Sequence, residues 1–219
     1  MKKKQFAILG LGQFGGNLCI ELSKLDVEVL AVDKNEEKVN KYTDAVTQAY
    51  QANVMDEPTL NSLGIRNFDY VIVSLGENIE ASILTTLLLK EMEIKNVWVK
   101  VHNDYHRKVL EKIGADRIIH PEKDMAVRIA HHIVSEKIID YIELSKDYSI
   151  VEIAANKNID GKQLYELNAR TKYGVTIIAL KNQNGIIVSP SADDIVHKDD
   201  IIVTMGHNQD LERFERNGI

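Results

Sequence analysis

Over about the first 120 residues the chain alternates short β-branched apolar runs with stretches whose apolar residues recur at helical spacing. That order predicts an α/β fold, a mostly parallel sheet covered by helices. Gln5 to Leu9 reads as the first strand, and a helix follows from about Phe14 with Phe14, Leu18, Leu22 and Leu25 on one face. Glu28 to Asp33 reads as the second strand. Val46 to Gln51 reads as the third and leads to a short helix opened by Pro58, where a missing amide hydrogen is harmless. Tyr70 to Leu75, Asn96 to Val101 and Arg117 to His120 complete six strands, with helices near residues 78–92 and 104–113. This is the pattern of a Rossmann-like parallel-sheet domain.

Pro121 starts a different segment, a helix from about Glu122 to Ile139. Met125, Ile129 and Ile133 form one apolar stripe. Ala126, Ala130 and Val134 form a second, and Val127 and Ile138 extend the apolar surface round the other side. A helix resting on one sheet needs one stripe, so the excess requires a cover. A second subunit is the simplest cover, and a small C-terminal domain acting in cis is the alternative. From Tyr141 onward the pattern is one of short strands and turns: Ser149 to Ala154, a short helix from Ile159 to Leu167, then Thr176 to Lys181, Gly185 to Val188 and Asp200 to Met205. Asn182-Gln183-Asn184-Gly185 supplies a hairpin-like turn. The expected organisation is a nucleotide-binding domain over residues 1–139, long helix included, and a compact α+β domain over residues 140–219.

Composition narrows the classes. The chain has 219 residues, of which 44% are hydrophobic, enough to bury a core. Its single cysteine, Cys19, excludes an internal disulfide framework and a multi-cysteine zinc site, and with no base spaced to activate its thiol it reads as packing. The start, Met1 to Lys4, is basic, but the apolar run after it breaks at Gly10, Gly12, Gln13 and Gly15, so no signal-peptide core forms. No stretch approaches about eighteen apolar residues, and a cytoplasmic protein is expected. With 27 Lys plus Arg against 33 Asp plus Glu, and no basic run interleaved with aromatics, nucleic acid is disfavoured as a main partner. The histidines, among them the pair His102 and His106 and the adjacent His131 and His132, lack the spacing of a hydrolytic zinc site and read as surface or interface groups.

The chemistry concentrates at the ends of the predicted strands. Gly10-Leu11-Gly12-Gln13-Phe14-Gly15 matches G-x-G-x-x-G after a strand and at the mouth of a helix. Gly10 permits the turn, Gly12 lets a pyrophosphate approach the backbone, and Gly15 lets the helix pack closely, while the free amides of the helix start meet phosphate charge. Asp33 follows Gly15 by eighteen residues, at the end of the second strand. There it accepts hydrogen bonds from ribose 2′- and 3′-hydroxyls and repels a 2′-phosphate, which disfavours NADPH; the alternative is a charge at the start of the helix near Glu36. Asn53, followed by Val54, Met55 and Asp56, is placed for the amino edge of an adenine, although Asp56 fits better as the cap of the helix at Pro58. Ser74, Leu75 and Gly76 close the fourth strand on the ligand side, and Lys100 ends the fifth within reach of a terminal phosphate or as a solvated lysine. A small NAD-dependent oxidoreductase is the rival reading, with His102 or His106 as proton donor. No residue of the C-terminal part signals catalysis.

Taken together, Gly10-Leu11-Gly12-Gln13-Phe14-Gly15-Gly16, Asp33, Ser74-Leu75-Gly76-Glu77-Asn78, Asn103-Asp104-Tyr105-His106, Ile113-Gly114-Ala115-Asp116 and His120-Pro121-Glu122-Lys123-Asp124-Met125-Ala126 resemble the RCK (KTN) regulators of bacterial potassium uptake, specifically the Ktr gating subunits. The resemblance spans Lys4 to Phe214. It implies a non-enzymatic cytosolic ring, usually an octamer built of dimers, docked peripherally under a membrane-embedded potassium-translocating partner. It also implies ATP or ADP in the N-terminal cleft, with NAD(H) less favoured. The helix from Glu122 to Ile139 looks like the family's crossover helix, and Glu122 matches a carboxylate that helps hold Mg²⁺ or Ca²⁺ near the phosphates. The C-terminal domain looks like the part that binds cyclic di-AMP as an inhibitory ligand, with Leu164, Arg170, Thr176 and Ile177 at matching positions. Two residues depart from the pattern: Gln13 stands where many members have arginine, and Thr176 where asparagine is common.

Overall fold

The computed structural model describes residues 3–134 and 138–219. By its contacts the chain forms two compact units, Met1–Pro121 and Glu122–Ile219.

The first unit holds six parallel strands, β1 (Gln5–Leu9), β2 (Glu28–Asp33), β3 (Gln48–Gln51), β4 (Tyr70–Val73), β5 (Val97–Lys100) and β6 (Arg117–Ile119), in the order β3-β2-β1-β4-β5-β6. The helices between them are α1 (Gln13–Ser23), α2 (Glu36–Tyr42), α3 (Glu57–Ser62), α4 (Ile79–Glu91) and α5 (Asp104–Ile113). Alternating side chains of each strand enter opposite layers. Ala7, Leu9, Leu30, Val32, Val71 and Val73 meet Leu60, Leu89 and Leu110 of α3, α4 and α5. Ile8, Val29, Ala31 and Ile72 meet Cys19 of α1 and Val39 and Tyr42 of α2. A parallel sheet buried on both faces needs such nearly continuous apolar strands. The reversal of strand order between β1 and β4 opens a crevice at their carboxyl ends.

The first helix departs from expectation. Its most buried residues are Gly15, Gly16 and Cys19, with Leu18 and Leu22 only partly buried, and Leu25 lies beyond the helix end, 68% exposed. Glycines win the inward face because the helix approaches its neighbours too closely for larger side chains: a Cβ on Gly16 would lie 2.0 Å from the Tyr42 hydroxyl. His106 is also not the surface group expected, being only 2% exposed. Cys19 is fully buried, and burial pushes its thiol up to about 12, as a packing role requires.

Helix α6 (Pro121–Val134) starts on the last residue of the first unit and otherwise belongs to the second, and it is shorter than the helix expected to Ile139. Residues 135–137 lie outside the described residues, as do Met1 and Lys2, and Ile138 belongs to β7 (Ile138–Glu143) instead of extending the helix surface. The β-branched and aromatic run Ile138 to Ile142 favours pairing with β8 (Tyr148–Ala154) over a helix. The described side chains of α6 from Glu122 onward are all exposed, including Met125, Ile129 and Ile133.

Ile159 to Leu167, expected as helix, forms instead β9 (Lys162–Gln163) and a 3-10 turn, Leu164–Leu167. Then come α7 (Ala169–Tyr173), β10 (Thr176–Asn182), β11 (Gly185–Val188), β12 (Ile195–Val196), β13 (Ile201–His207) and α8 (Asn208–Asn217). The main sheet is antiparallel, ordered β11-β10-β13-β8-β7, with the expected tight hairpin pairing Asn182 with Gly185. Ile153, Leu180, Ile202, Leu211 and Phe214 form its core. Helices α7 and α8 escaped the sequence reading because both carry strongly polar stretches with only a few inward residues.

Candidate functional site

The carboxyl ends of β1, β2, β4 and β5 meet around the turn Gly10–Gly12. Gly10 adopts φ +101°, and a Cβ there would lie 2.6 Å from the Ser74 carbonyl oxygen. The Gly10 amide donates to Val32 O at 2.7 Å, and the Ser74 amide donates to Leu9 O at 2.7 Å. The turn is thus pinned between β2 and β4, which only a residue free in φ and lacking a side chain allows.

Helix α1 then starts without a side-chain cap and without an acidic residue in its first turn. The contrast with its neighbours is sharp. Asn35, Asp56, Asn78 and Asn103 cap α2, α3, α4 and α5 with side-chain oxygens. A Cβ on Gly12, the residue preceding α1, would meet nothing within 4 Å, whereas one on Gly15 would lie 2.0 Å from Gly10 O. The result is open space beside Gly12 at an uncapped helix start, where free amides and the positive end of the helix dipole suit a phosphate.

Asp33 closes the site on the β2 side and is 8% exposed. Its Oδ2 accepts from the Leu11 amide at 2.7 Å and its Oδ1 from the Asn35 amide at 2.9 Å. An ionised carboxylate offers about four lone-pair positions, so two remain for further donors. On the β4 and β5 side, the Lys100 stem passes beside Gly76, 3.7 Å from where a Cβ would stand, and its ammonium lies 6.0 Å from the centroid of the Phe14 ring. Gln13, in the first turn of α1, is exposed.

Most of the sequence-derived residues therefore gather on one sheet edge: Gly10, Gly12, Gln13, Phe14, Gly15, Asp33, Ser74, Gly76 and Lys100. Asn53 follows β3 at the same edge, exposed, with its Oδ1 accepting from Met55 N at 3.2 Å. Val54 turns its side chain into the core, and its carbonyl oxygen accepts from the buried Thr85 hydroxyl at 3.3 Å, so it is not presented to a ligand as the sequence suggested. Asp56 caps α3 through Thr59 N, as its position before Pro58 suggested.

Glu122 lies on the exposed start of α6 in the second unit. Leu164, Arg170, Thr176 and Ile177 do come together: with Tyr165, Asn168 and Pro190 they line a cavity of about 590 Å³ in the second unit. Asn168, in the left-handed region at φ +50°, and the backbone donor of Leu11 are the members sequence reasoning missed. His102 and His106 are joined, the His102 amide donating to His106 Nδ1 at 3.3 Å, and desolvation with the neighbouring His102 lowers the His106 pKa. Among the described residues no group of three histidine, cysteine or carboxylate side chains is placed to hold a metal. None of the described helices is long and apolar enough to cross a membrane.

Comparison with known proteins adds family context. Residues 6–121 match the TrkA-N domain and residues 148–217 the TrkA-C domain. The chain is 57% identical over 219 residues to Ktr system potassium uptake protein A of Bacillus subtilis (strain 168), covering 100% of this chain and 99% of the relative. Two solved structures resemble it at fold level. One is the GsuK RCK domain, at 16% identity and a TM-score of 0.69, covering 98% of this chain and 47% of that one. The other is the GsuK channel bound to NAD, at 18% identity and a TM-score of 0.56, covering 100% of this chain and 39% of that one.

Proposed function

This chain belongs to the TrkA-N and TrkA-C family as a Ktr-type RCK regulatory subunit of potassium uptake, and from that premise we propose that it gates a membrane-embedded potassium-translocating partner by binding adenosine nucleotides. The observation that carries this reading is the open space at Gly12, before an uncapped helix, with Asp33 buried at the adjacent strand end. ATP or ADP lays its diphosphate at Gly12, its ribose hydroxyls on Asp33 and its adenine toward Asn53. Lys100 approaches the terminal phosphate. NAD(H) shares the ribose acceptor and is the competitor to test.

The chain performs no bond-breaking step in this account. A ligand moves a two-state assembly only by its difference in affinity for the two states, about 1.4 kcal/mol for each tenfold change in their ratio. An octameric ring multiplies a small bias per subunit. Building a ring from dimers needs two distinct self-association faces. Helix α6 offers one, through Met125, Ile129 and Ile133; helices α4 and α5 offer another, where Leu84, Leu87, Tyr105 and Val109 are exposed. The ring operates in the cytoplasm, peripheral to the membrane through its partner.

A divalent cation, Mg²⁺ or Ca²⁺, draws most of its ligands from phosphate oxygens and water, with Glu122 contributing one carboxylate. A single protein carboxylate suits such a nucleotide-dependent ion. Cyclic di-AMP occupies the cavity of the second unit, where Arg170 meets phosphate charge and Leu164 and Ile177 meet the bases. Calorimetry with ATP, ADP, NADH and cyclic di-AMP, with solution mass recorded alongside, tests the scheme. Preference for NADH over both adenosine nucleotides, with turnover of a ketone or alcohol, would overturn it.

A further inference from the structure

Asp33 has two sets of partners in reach at once. Its Oδ2 holds the Leu11 amide at 2.7 Å, and Leu11 is the residue between Gly10 and Gly12, itself 2% exposed. Without the carboxylate this amide loses its acceptor in a buried place, and one of two bonds tying the turn to β2 is gone. The other is Gly10 N to Val32 O. The second carboxylate oxygen is held by the Asn35 amide at 2.9 Å, and with two donors satisfied the ionised group keeps lone pairs for further donors.

We infer that Asp33 is a positioning residue for the phosphate cradle as well as the acceptor for the ribose, so that the two ends of a bound nucleotide are coupled through one carboxylate. This rests on the nucleotide reading above and goes beyond it. A carboxylate serving the ribose alone would leave phosphate binding indifferent to its loss. A carboxylate that also holds Leu11 sets the direction of the amides at the start of α1, so ligands lacking ribose hydroxyls feel its removal too. The coupling runs both ways: a ribose that engages Asp33 restrains the turn, and a turn displaced by phosphate shifts the ribose acceptor.

The test uses the full chain and two ligands, ADP and 2′,3′-dideoxy-ADP, titrated against the parent, Asp33→Ala and Asp33→Asn. The inference expects Asp33→Ala to weaken dideoxy-ADP by about tenfold, the loss that follows from one charge-assisted bond. Asp33→Asn, which keeps one acceptor oxygen for Leu11, recovers part of that loss while still binding ADP less tightly than the parent. Amide hydrogen exchange in the ligand-free proteins gives a readout that general destabilisation does not mimic: in Asp33→Ala, faster exchange is confined to residues 10–16 while β1 and β4 stay protected. Unchanged dideoxy-ADP affinity in Asp33→Ala, or exchange that rises across the whole sheet, overturns the coupling. Failure of the parent to bind ADP overturns the nucleotide reading itself.

Discussion

Gly12→Ala and Gly15→Ala separate the two jobs of the glycine-rich turn, because the same added methyl meets opposite surroundings three residues apart. At Gly15 the new Cβ would lie 2.0 Å from Gly10 O and 3.1 Å from the Ser74 side chain. Helix and turn must part by about 1.5 Å to reach ordinary contact, an overpacking cost of roughly 1–3 kcal/mol. For a unit of this size that lowers the melting temperature by about 4–12 °C. At Gly12 the backbone, φ −70° and ψ −170°, suits any residue, and the methyl meets no protein atom within 4 Å. Stability should therefore move by less than about 1 kcal/mol. The methyl does enter the space assigned to the diphosphate, so ADP affinity should fall at least tenfold, about 1.4 kcal/mol. Thermal melts and calorimetry on both variants check the pair. ADP binding by Gly12→Ala within twofold of the parent would refute the placement of the diphosphate, and a Gly15→Ala protein melting with the parent would refute the packing argument.

Other predictions address the rest of the molecule. Because Gln13 brings no charge to the third phosphate, ATP affinity should depend on Mg²⁺ or Ca²⁺ more steeply than ADP affinity; Gln13→Arg should widen the ATP preference by about tenfold, and Glu122→Gln should remove most of the cation dependence. A parent that prefers ATP more than about a hundredfold with the cation chelated points to a different positive group at that phosphate. If α6 is a self-association face as proposed, Ile133→Asp should dissociate or unfold the assembly by placing an unpaired charge in that face, and an unchanged sedimentation profile together with an unchanged melt would exclude it. Burial and His102 hold the His106 imidazole below its ordinary value, so the unfolded chain takes up the proton first. The stability this group contributes is complete above about pH 6.5 and is lost as pH falls through the folded value. Melts between pH 5 and 8 should show a smaller acid loss in His106→Gln than in the parent, and parallel curves would remove His106 from the account.

Much of the candidate site was legible because its signals are local. The turn Gly10 to Gly15, the strand before it and the acid closing the next strand lie within a single βαβ unit, where residue type dictates backbone conformation directly. The strands of the first unit were found to within a residue or two, most directly the central β1, β2 and β4, where burial on both faces demands nearly continuous apolar runs. The second unit was less legible. Its elements are short, and a segment such as Ile159 to Leu167 carries an apolar spacing that fits a helix until pairing with β12 claims Lys162 and Gln163.

The sequence by itself determined where a glycine-rich turn forms, which acid ends the next strand beside it and that the helix after Pro121 has more apolar surface than one sheet can cover. These follow from side-chain type and periodicity over roughly ten residues. Tertiary structure alone decided the rest: that Asp33 grips Leu11 across 22 residues of chain, that Gly16 yields to Tyr42, that His106 is buried, and that Leu164, Arg170 and Pro190 share one cavity. Each of those depends on which elements become neighbours. That is set by the summed packing of two cores and the order of strands in a sheet, quantities no single stretch of sequence contains.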